Sequence, residues 1–353
     1  MLYVNARFLT QNITGVQRFA INISLELKKQ IKDIVFLSPK GIIHKDLAEK
    51  LGVEIIGSNT GHIWEQVDLP FFLYKNGKHK LLNLCNTAPL VYLNKIVTLH
   101  DIIYIKYPKS FSRSFLLFYR TVIPLTILSS KAIFTVSEFS KKDISNYYNI
   151  PERNIFVIPN AVDEVFNDNA YMGAREITQP YFLGVSSPSY HKNFDRLVQS
   201  FNVFNKQYNY KYNLKIIGAS NKSFNNISES NSGNGVHYLG RVQDDELKSL
   251  YKNAYAFIFP SLYEGFGIPP LEAQACGCAV LSSDAASLPE VLKDSAIYFN
   301  PNSIDDMVLA MNQFVSMTEE EKNSLRNKGK INYSRFSWFS SAKRISEVIN
   351  YIT

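Results

Sequence analysis

The clearest indication of the fold comes from residues 257–281, which read FIFPSLYEGFGIPPLEAQACGCAVL. Its first residues belong to an apolar run, YAFIF, of the kind that forms a strand buried on both faces. Pro269 and Pro270 are tolerated in the first turn of a helix, and Gly277 suits the position just after a helix end. A second apolar run, CAVLS, predicts another buried strand. The stretch therefore predicts a strand, a loop, a helix and a strand of a parallel α/β sheet.

The loop SLYEGFG would lie at the carboxyl end of that sheet, where open α/β folds bind ligands. Gly265 and Gly267 allow the backbone to approach a ligand, and the helix start favours an anion such as phosphate. Glu272, expected in the first helical turn, could simply complement the helix dipole. Glu264 precedes the helix and lacks that explanation. Two carboxylates beside a phosphate site suit a ligand with hydroxyls on both sides of its phosphates, such as a sugar nucleotide.

Length and composition limit the protein class. A chain of 353 residues suggests two domains, and 46% hydrophobic with 20% charged residues is ordinary for a globular protein. Cys85, Cys276 and Cys278 include no CxxC pair, so we expect neither disulfides nor a zinc site. The opening MLYVNARF resembles a strand and not a signal peptide, and no apolar run reaches the length of a membrane span. We therefore expect a cytoplasmic protein.

Positive charge is concentrated in the first half. Residues 1–165 contain 20 Lys and Arg against 13 Asp and Glu, whereas residues 166–353 contain 18 of each class. Within the basic half, residues 111–128 are apolar and aromatic, with Arg113 and Arg120 on one helical face. Such a surface could rest on anionic lipid, although a core helix with solvated arginines explains it equally well. No RNP or helix-turn-helix signature is present, so nucleic acid is not an expected partner.

Strand and helix patterns alternate along the whole chain and predict two doubly wound α/β domains. In the first half a helix is expected from about residue 14 to 30, and another at 62–75. Polar residues 163–179 are interpreted as a linker, and the Asn, Ser and Gly-rich residues 221–235 as a surface loop.

Further candidates follow predicted strands. Gly15 lies between the first strand and a helix, although a lone glycine often serves only the turn. His100 and Asp101 end a buried strand, where a ligand would lie, although a lone histidine is more often structural. Lys192 stands at a helix start, where a cation opposes the dipole unless an anion is near. The motif SLPEV at 287–291 predicts a capping box, which gives its glutamate no catalytic role.

The region SLYEGFGIPPLEAQACGCAVLSSDAASLPEV closely resembles the donor-site signature of retaining glycosyltransferases of family four, which have the GT-B fold. Six further motifs match in order: TGVQRF, VTLHDI, TVSEFS, VIPNAVD, HKNF and LGRVQDDELKSLY. The final RFSWFSSAKRISEVI also matches. The resemblance implies two Rossmann-like domains facing a cleft. Residues 1–165 would bind the acceptor and 166–335 the nucleotide sugar, with a helix at 336–353 returning to the first domain.

The same resemblance implies residue roles. Glu272 would bind the ribose hydroxyls, Glu264 would bind the transferred sugar or support charge at its anomeric centre, and His100 would lie near that sugar as a second catalytic residue. The diphosphate and donor would be held by Lys192, Arg241, Gly15 and the backbone of Gly265, Phe266 and Gly267. The acceptor side or cleft would include Arg18, Asp101, Ser137 and Asn160.

The implied reaction moves a hexosyl unit from a nucleoside diphosphate, with GDP-mannose the favoured donor, to a saccharide acceptor, with retention of configuration. The acceptor would be a lipid-linked glycan of bacterial O-antigen or capsule, with an anionic membrane surface as a further partner. No cofactor and no metal ion are expected, since no Asp-x-Asp motif appears at a strand end. One departure concerns the phosphates: many relatives have an arginine before the lysine, whereas this chain has GVSSPSYHK.

Other functions remain open at this point. A sugar-nucleotide epimerase shares the architecture, as does a glycogen-type phosphorylase, which would need a lysine for pyridoxal phosphate. A non-catalytic sugar-nucleotide-binding module is also possible, because the N-terminal loop has one glycine, Gly15, where relatives often have two or three. Donor hydrolysis would distinguish an enzyme from such a module.

Overall fold

We describe the protein from a computed structural model, which covers residues 1–167, 179–185, 189–218 and 235–352. Most of the linker predicted at 163–179 and of the surface loop predicted at 221–235 lies outside these residues, as do Ser186 and Ser187 of GVSSPSY. The chain forms two compact units: Met1–Asn160 with Phe336–Thr353, and Ala161–Arg335.

The first unit contains a seven-stranded parallel sheet with the order β3-β2-β1-β4-β5-β6-β7. Its strands are β1 (Leu2–Asn5), β2 (Ile34–Ser38), β3 (Glu54–Ile55), β4 (Lys80–Asn83), β5 (Lys95–Thr98), β6 (Ala132–Thr135) and β7 (Ile155–Val157). Its helices are Gly15–Gln30, Lys45–Leu51, Gly61–Ile63, Leu69–Lys75, Ile103–Lys106, Arg113–Leu128, Glu138–Tyr148 and Trp338–Tyr351, and a π-helical turn, Trp64–Asp68, joins the third to the fourth.

The second unit contains a six-stranded parallel sheet with the order β10-β9-β8-β11-β12-β13. Its strands are β8 (Tyr181–Val185), β9 (Asn213–Ile217), β10 (Val236–Gly240), β11 (Ala256–Phe259), β12 (Val280–Ser283) and β13 (Ile297–Phe299). Its helices are Phe194–Gln207, Asp244–Asn253, Ile268–Ala275, Leu288–Leu292, Ile304–Ser316 and Glu319–Tyr333. Two doubly wound α/β domains were predicted, and the two sheets confirm them.

In both sheets the order in which the chain adds strands reverses once. In the first unit the chain adds strands on one side of β1 and then continues from β4 on its other side. In the second unit the same reversal falls between β8 and β11. A crevice opens at the carboxyl ends of strands where the order reverses, and ligands of open α/β sheets bind there. The fold thus singles out two places: the ends of β1 and β4, and the ends of β8 and β11.

The C-terminal helix Trp338–Tyr351 lies against the first helix, Gly15–Gln30. The rings of Phe19 and Trp338 meet edge to face with centroids 6.0 Å apart, and the Gln30 side chain donates to the Phe339 carbonyl at 3.2 Å. The Ser341 hydroxyl donates to the carbonyl of Pro159 at 2.7 Å. The last helix therefore completes the first unit although its sequence follows the second.

Local sequence explains most element boundaries. The helix at 268–275 begins with Ile268, so Pro269 and Pro270 occupy its first turn as predicted, and Gly277 has the left-handed φ of 67° expected after a helix end. Serine or threonine side chains accept the third backbone N–H at several helix starts, as Ser112 and Ser337 do. Strand β3, Glu54–Ile55, is only two residues long, and both residues are exposed at the sheet edge.

Candidate functional site

Lys192 and Glu264 meet at the reversal point of the second unit. Lys192 follows β8 in a short 3₁₀ turn, Tyr190–Lys192, and Glu264 lies in the loop after β11. The Lys192 Nζ donates to the Glu264 Oε1 at 2.6 Å, and the two side chains are 16% and 13% exposed. Because both are mostly shielded yet still reach solvent, the pair is available to a polar ligand at the carboxyl edge of the sheet.

The two loops that carry this ion pair are tied to each other. The carbonyl of His191 accepts the backbone N–H of Leu262 at 2.7 Å and the hydroxyl of Ser261 at 3.2 Å. The Asn193 side chain donates to the carbonyl of Pro260 at 3.0 Å. Burial, reinforced by the Lys192 charge, lowers the pKa of His191 to about 4. The position of Lys192 relative to Glu264 is therefore fixed by the backbone on both sides.

Ser287 corrects one sequence prediction. It precedes the helix Leu288–Leu292 but makes no side-chain capping hydrogen bond there. Its buried hydroxyl donates instead to the carbonyl of Glu264 at 3.0 Å. The predicted capping box at 287–290 is wrong, because the Glu264 loop passes close enough to take the hydroxyl. Ser287 thus supports the loop that carries the candidate carboxylate.

Gly267 is required by the geometry of the loop end. Its φ is 98°, and a Cβ atom at this position would lie 2.6 Å from the Leu288 Cδ2. Any other residue would be both strained and in contact with a packed side chain. Gly265 and Phe266, just before it, are buried. This backbone leads directly into the start of the Ile268–Ala275 helix, whose N–H groups and positive dipole end favour an anion.

The sequence predicted Glu272 in the first turn of that helix, but Glu272 lies in the second turn. The reason is that the helix starts at Ile268, one residue before the prolines. A role in complementing the helix dipole is correspondingly weaker. Glu272 is buried, and its Oε2 accepts the hydroxyl of Tyr251, itself fully buried, at 3.2 Å. The carboxylate is therefore held in one orientation by a neighbouring helix.

Arg241 lies farther from this pair. It follows β10, the edge strand, and β9 lies between β10 and β8. Its side chain is exposed. It shares the carboxyl edge of the sheet with Lys192, but the structure does not bring the two side chains together.

His100 is neutral and buried in the first unit. It follows β5, and burial lowers its pKa to about 4. Its Nε2 lies 3.1 Å from the carbonyl of Leu84, which fixes Nε2 as the protonated nitrogen because a carbonyl only accepts. The ring packs edge to face on Phe19, with centroids 4.9 Å apart. His100 can therefore offer Nδ1 as a hydrogen-bond acceptor, but it is not a cation at neutral pH.

The other predicted residues of this unit also follow strands of one sheet. Gly15 begins the first helix, with Arg18 one turn later. Asp101 accepts the backbone N–H of Ile103 at 2.9 Å, and Ser137 accepts that of Ser140 at 3.0 Å, so both stabilise local turns. Asn160, after β7, is buried, and its Oδ1 has no hydrogen-bond partner within the described part of the chain.

Two family models match the chain and together span most of it. Residues 13–166 match the model described as Glycosyltransferase Family 4, and residues 173–331 match Glycosyl transferases group 1. The O-antigen chain mannosyltransferase RfbU of Salmonella typhimurium is 30% identical over 321 residues, which cover 85% of this chain and 87% of RfbU. This chain belongs to the family-four glycosyltransferases.

Two more similarities agree with this assignment. O-antigen chain mannosyltransferase B of Escherichia coli is 28% identical to this glycosyltransferase over 223 residues, or 60% of this chain and 58% of the other. The crystal structure of HepE from Anabaena, in complex with UDP, superposes with a TM-score of 0.74 at 16% identity and covers 99% of both chains. The latter shows the shared fold. The predicted GT-B fold and family are both confirmed.

The glycosyltransferase has a polar network at the reversal point of its first unit that sequence reasoning missed. Asn5 and Asn83 end the paired strands β1 and β4, and the Asn5 amide donates to the Glu65 Oε1 at 2.8 Å and to the Asn83 Oδ1 at 3.0 Å. Arg7 and Thr87 complete it. Polar residues at the ends of otherwise apolar strands were the available signal.

An exposed apolar surface also lies on the first unit. On the Arg113–Leu128 helix, Leu117 is 72% and Leu128 is 82% exposed, on the face that carries Arg113 and Arg120. The segment 61–75 presents a second stripe at helical spacing, made of Ile63, Val67, Phe71 and Tyr74. The rings of His62 and Phe118 join the two segments at a centroid distance of 4.5 Å. We call these exposed residues the apolar face.

Two features are absent from the described ranges. No helix there is long and apolar enough to cross a bilayer. Among the same residues, no group of three or more His, Cys, Asp or Glu side chains is arranged to hold a metal ion.

Proposed function

We propose that this glycosyltransferase transfers a hexose, with mannose from GDP-mannose as the first candidate, to a saccharide acceptor in O-antigen synthesis. The observation that carries the proposal is the Lys192–Glu264 pair, at the reversal point of the donor-signature unit. The sugar and the pathway are inferred from relatives, two of which bear the names of O-antigen mannosyltransferases.

The donor would lie along the carboxyl edge of the second sheet. Lys192 has three N–H donors, and one of them reaches Glu264, which leaves two for the diphosphate. The start of the Ile268–Ala275 helix would supply further N–H groups to the phosphates. Glu272, oriented by Tyr251, would bind the ribose hydroxyls. Glu264, at the other end, would contact the transferred sugar.

The chemical step forms one bond and breaks one. The acceptor hydroxyl oxygen bonds to the anomeric carbon while the bond from that carbon to the phosphate oxygen breaks. The acceptor proton passes to the departing phosphate, on the same face, so the configuration is retained. Glu264 would stabilise positive charge on the sugar ring, and the neutral His100 would accept a hydrogen bond from a sugar hydroxyl through Nδ1.

Charge on the leaving diphosphate would be balanced by protein groups alone. Lys192 supplies a full positive charge, and the helix start adds a partial one. We therefore propose that no divalent ion takes part in the transfer.

Binding of nucleotides tests the donor part directly. Thermal unfolding of the protein would be followed with GDP, UDP, dTDP and ADP, each alone and as its hexose conjugate. We expect the nucleotides that carry one particular base to raise the unfolding temperature of the protein, because a ligand that binds only the native state stabilises that state. Lys192→Met should abolish this shift, whereas Lys206→Met, an exposed lysine of the same unit, should not. If no nucleotide stabilises the wild type, the donor proposal is wrong.

We further propose that the apolar face rests on an anionic bilayer that presents a lipid-linked acceptor. The face combines large exposed apolar side chains with Arg113 and Arg120, and Lys78 lies 5.6 Å above the Tyr74 ring. On the 61–75 segment, the carboxylate of Glu65 is buried and Asp68 is bonded to the backbone N–H groups of Ser58 and Asn59. Such a surface suits apolar insertion next to negative headgroups.

Sedimentation with vesicles tests this surface. Each arginine near an anionic surface contributes about 1 kcal/mol, so Arg113→Glu with Arg120→Glu should weaken binding about 30-fold or more. Lys206→Glu with Lys330→Glu carries the same charge change on exposed residues of the second unit and should bind like the wild type. Phe71→Ser should weaken binding to anionic vesicles through lost insertion. Equal binding of all variants would contradict a membrane role for the apolar face.

A further inference from the structure

The polar network at the ends of β1 and β4 contains an arginine with unused donors. Arg7 is 7% exposed, and its Nε lies 3.3 Å from the Glu65 Oε1. One Nη2 hydrogen goes to the Thr87 hydroxyl at 3.0 Å. Among the described residues, Nη1 and the second Nη2 hydrogen have no hydrogen-bond partner. The guanidinium therefore has three N–H groups that can donate to an oxygen acceptor from outside the chain.

Glu65, by contrast, is saturated. Its two oxygens accept from Asn5, Arg7, Thr87 and His62. Burial acts to raise the pKa of Glu65, but the Arg7 charge and the hydrogen bonds lower it overall, so the carboxylate stays ionised. Glu65 belongs to the π-helical turn Trp64–Asp68, and such local widenings of a helix are common at functional sites. Its charge holds Arg7 in place and neutralises it.

A small cavity adjoins Arg7. It is lined by Asn5, Arg7, Phe8, Gln11, Glu65, Leu84 and Cys85, and its volume of about 10 Å³ admits one water-sized group. Burial raises the pKa of the Cys85 thiol to about 12, so that side chain adds no charge. The cavity lies where the first sheet reverses its strand order, the position at which open sheets bind ligands.

We infer that this cavity binds one hydroxyl of the acceptor saccharide, held by Arg7 with Gln11 beside it; the inference rests on the proposed function. Charge decides the ligand class. Arg7 is already paired with Glu65, so an anion entering the cavity would meet a site of zero net charge and would lose its hydration without compensation. A neutral sugar hydroxyl accepts the free N–H groups at no such cost. The size of the cavity restricts the contact to a single hydroxyl.

Saturation-transfer NMR on the full chain tests the site, with the methyl glycosides of mannose, glucose, galactose, N-acetylglucosamine and rhamnose as probes. At least one should bind the wild type. Arg7→Lys keeps the charge next to Glu65 but loses the free guanidinium donors, and it should weaken that binding about 10-fold. Gln11→Ala leaves the buried Arg7–Glu65 ion pair intact and should also weaken binding of the glycoside. Arg153→Lys, at an exposed arginine of the same unit, should have no effect.

Monodeoxy derivatives of the bound glycoside distinguish a direct contact between Arg7 and a sugar hydroxyl from a purely structural role of Arg7. Removal of one particular hydroxyl should cost the wild type about 10-fold in affinity and cost Arg7→Lys almost nothing. Equal losses in both proteins, or no glycoside bound by the wild type, would overturn the inference. Nucleotide binding is measured on the same samples. If it is intact while no glycoside binds, only the inference fails; if it is absent from the wild type, the proposed donor function fails.

Discussion

Glu272→Ala is the substitution that most directly tests how the nucleotide is held. Glu272 is buried, and its Oε2 accepts the Tyr251 hydroxyl at 3.2 Å, so the carboxylate is oriented before any ligand arrives. A hydrogen bond to a charged group contributes about 1.5–3 kcal/mol. Loss of the ribose contact should therefore raise the Kd for the preferred nucleoside diphosphate about 10- to 150-fold. Isothermal titration calorimetry measures this change.

A second variant separates binding from folding. Glu272→Ala also leaves the buried Tyr251 hydroxyl without its acceptor, which costs stability. Glu272→Gln keeps an oxygen for Tyr251 and should fold like the wild type while binding the nucleotide more weakly. Glu290→Ala, at an exposed glutamate of the next helix, Leu288–Leu292, serves as the control. Unchanged nucleotide affinity in a folded Glu272→Ala protein would refute the assignment.

Three further predictions concern turnover, metal and pH. Glu264→Gln should bind nucleotide like the wild type but turn over far more slowly, because its carboxylate contacts the reacting sugar; a parallel loss of affinity would contradict this division. Activity should survive EDTA, and full loss restored by magnesium or manganese would disprove the metal-free site. Burial lowers the pKa of His100 and His191 to about 4, so unfolding takes up protons below the ordinary value of 6.5. The free energy of unfolding from urea titrations should then be steady above about pH 6.5 and fall towards about pH 4; a flat profile over that range would show that the histidines are not buried as neutral groups.

Strand and helix order could be predicted from the sequence because the strands are short apolar runs, closed by Gly, Pro and polar residues. The 257–281 stretch shows how far this goes. Its proline pair fixed the helix start to within one residue, yet that one residue moved Glu272 from the first turn to the second. Local patterns thus locate an element well but do not fix which turn carries a given side chain.

Contacts between residues far apart in the sequence could not be predicted from local patterns. Ser287 has the sequence signature of a helix cap, but the nearby Glu264 carbonyl takes its hydroxyl. The Arg7, Glu65 and Thr87 network joins residues up to 80 positions apart. The stripe at 61–75 was hidden because its residues resemble those of a core helix, and only the fold shows that Phe71 is exposed. Lys192 and Glu264 were both predicted as donor ligands, but their ion pair depends on β8 and β11 being neighbours.

Release of nucleoside diphosphate from a sugar nucleotide is the direct test of the proposed transferase activity. Wild type, Lys192→Met and Glu264→Gln would be incubated with GDP-mannose and with the UDP, dTDP and ADP hexoses, with and without a lipid-linked saccharide extract. We expect release by the wild type from one donor, faster with acceptor present, and little or none by either variant. No release by the wild type from any donor, or equal release by Glu264→Gln, would contradict the proposed transfer.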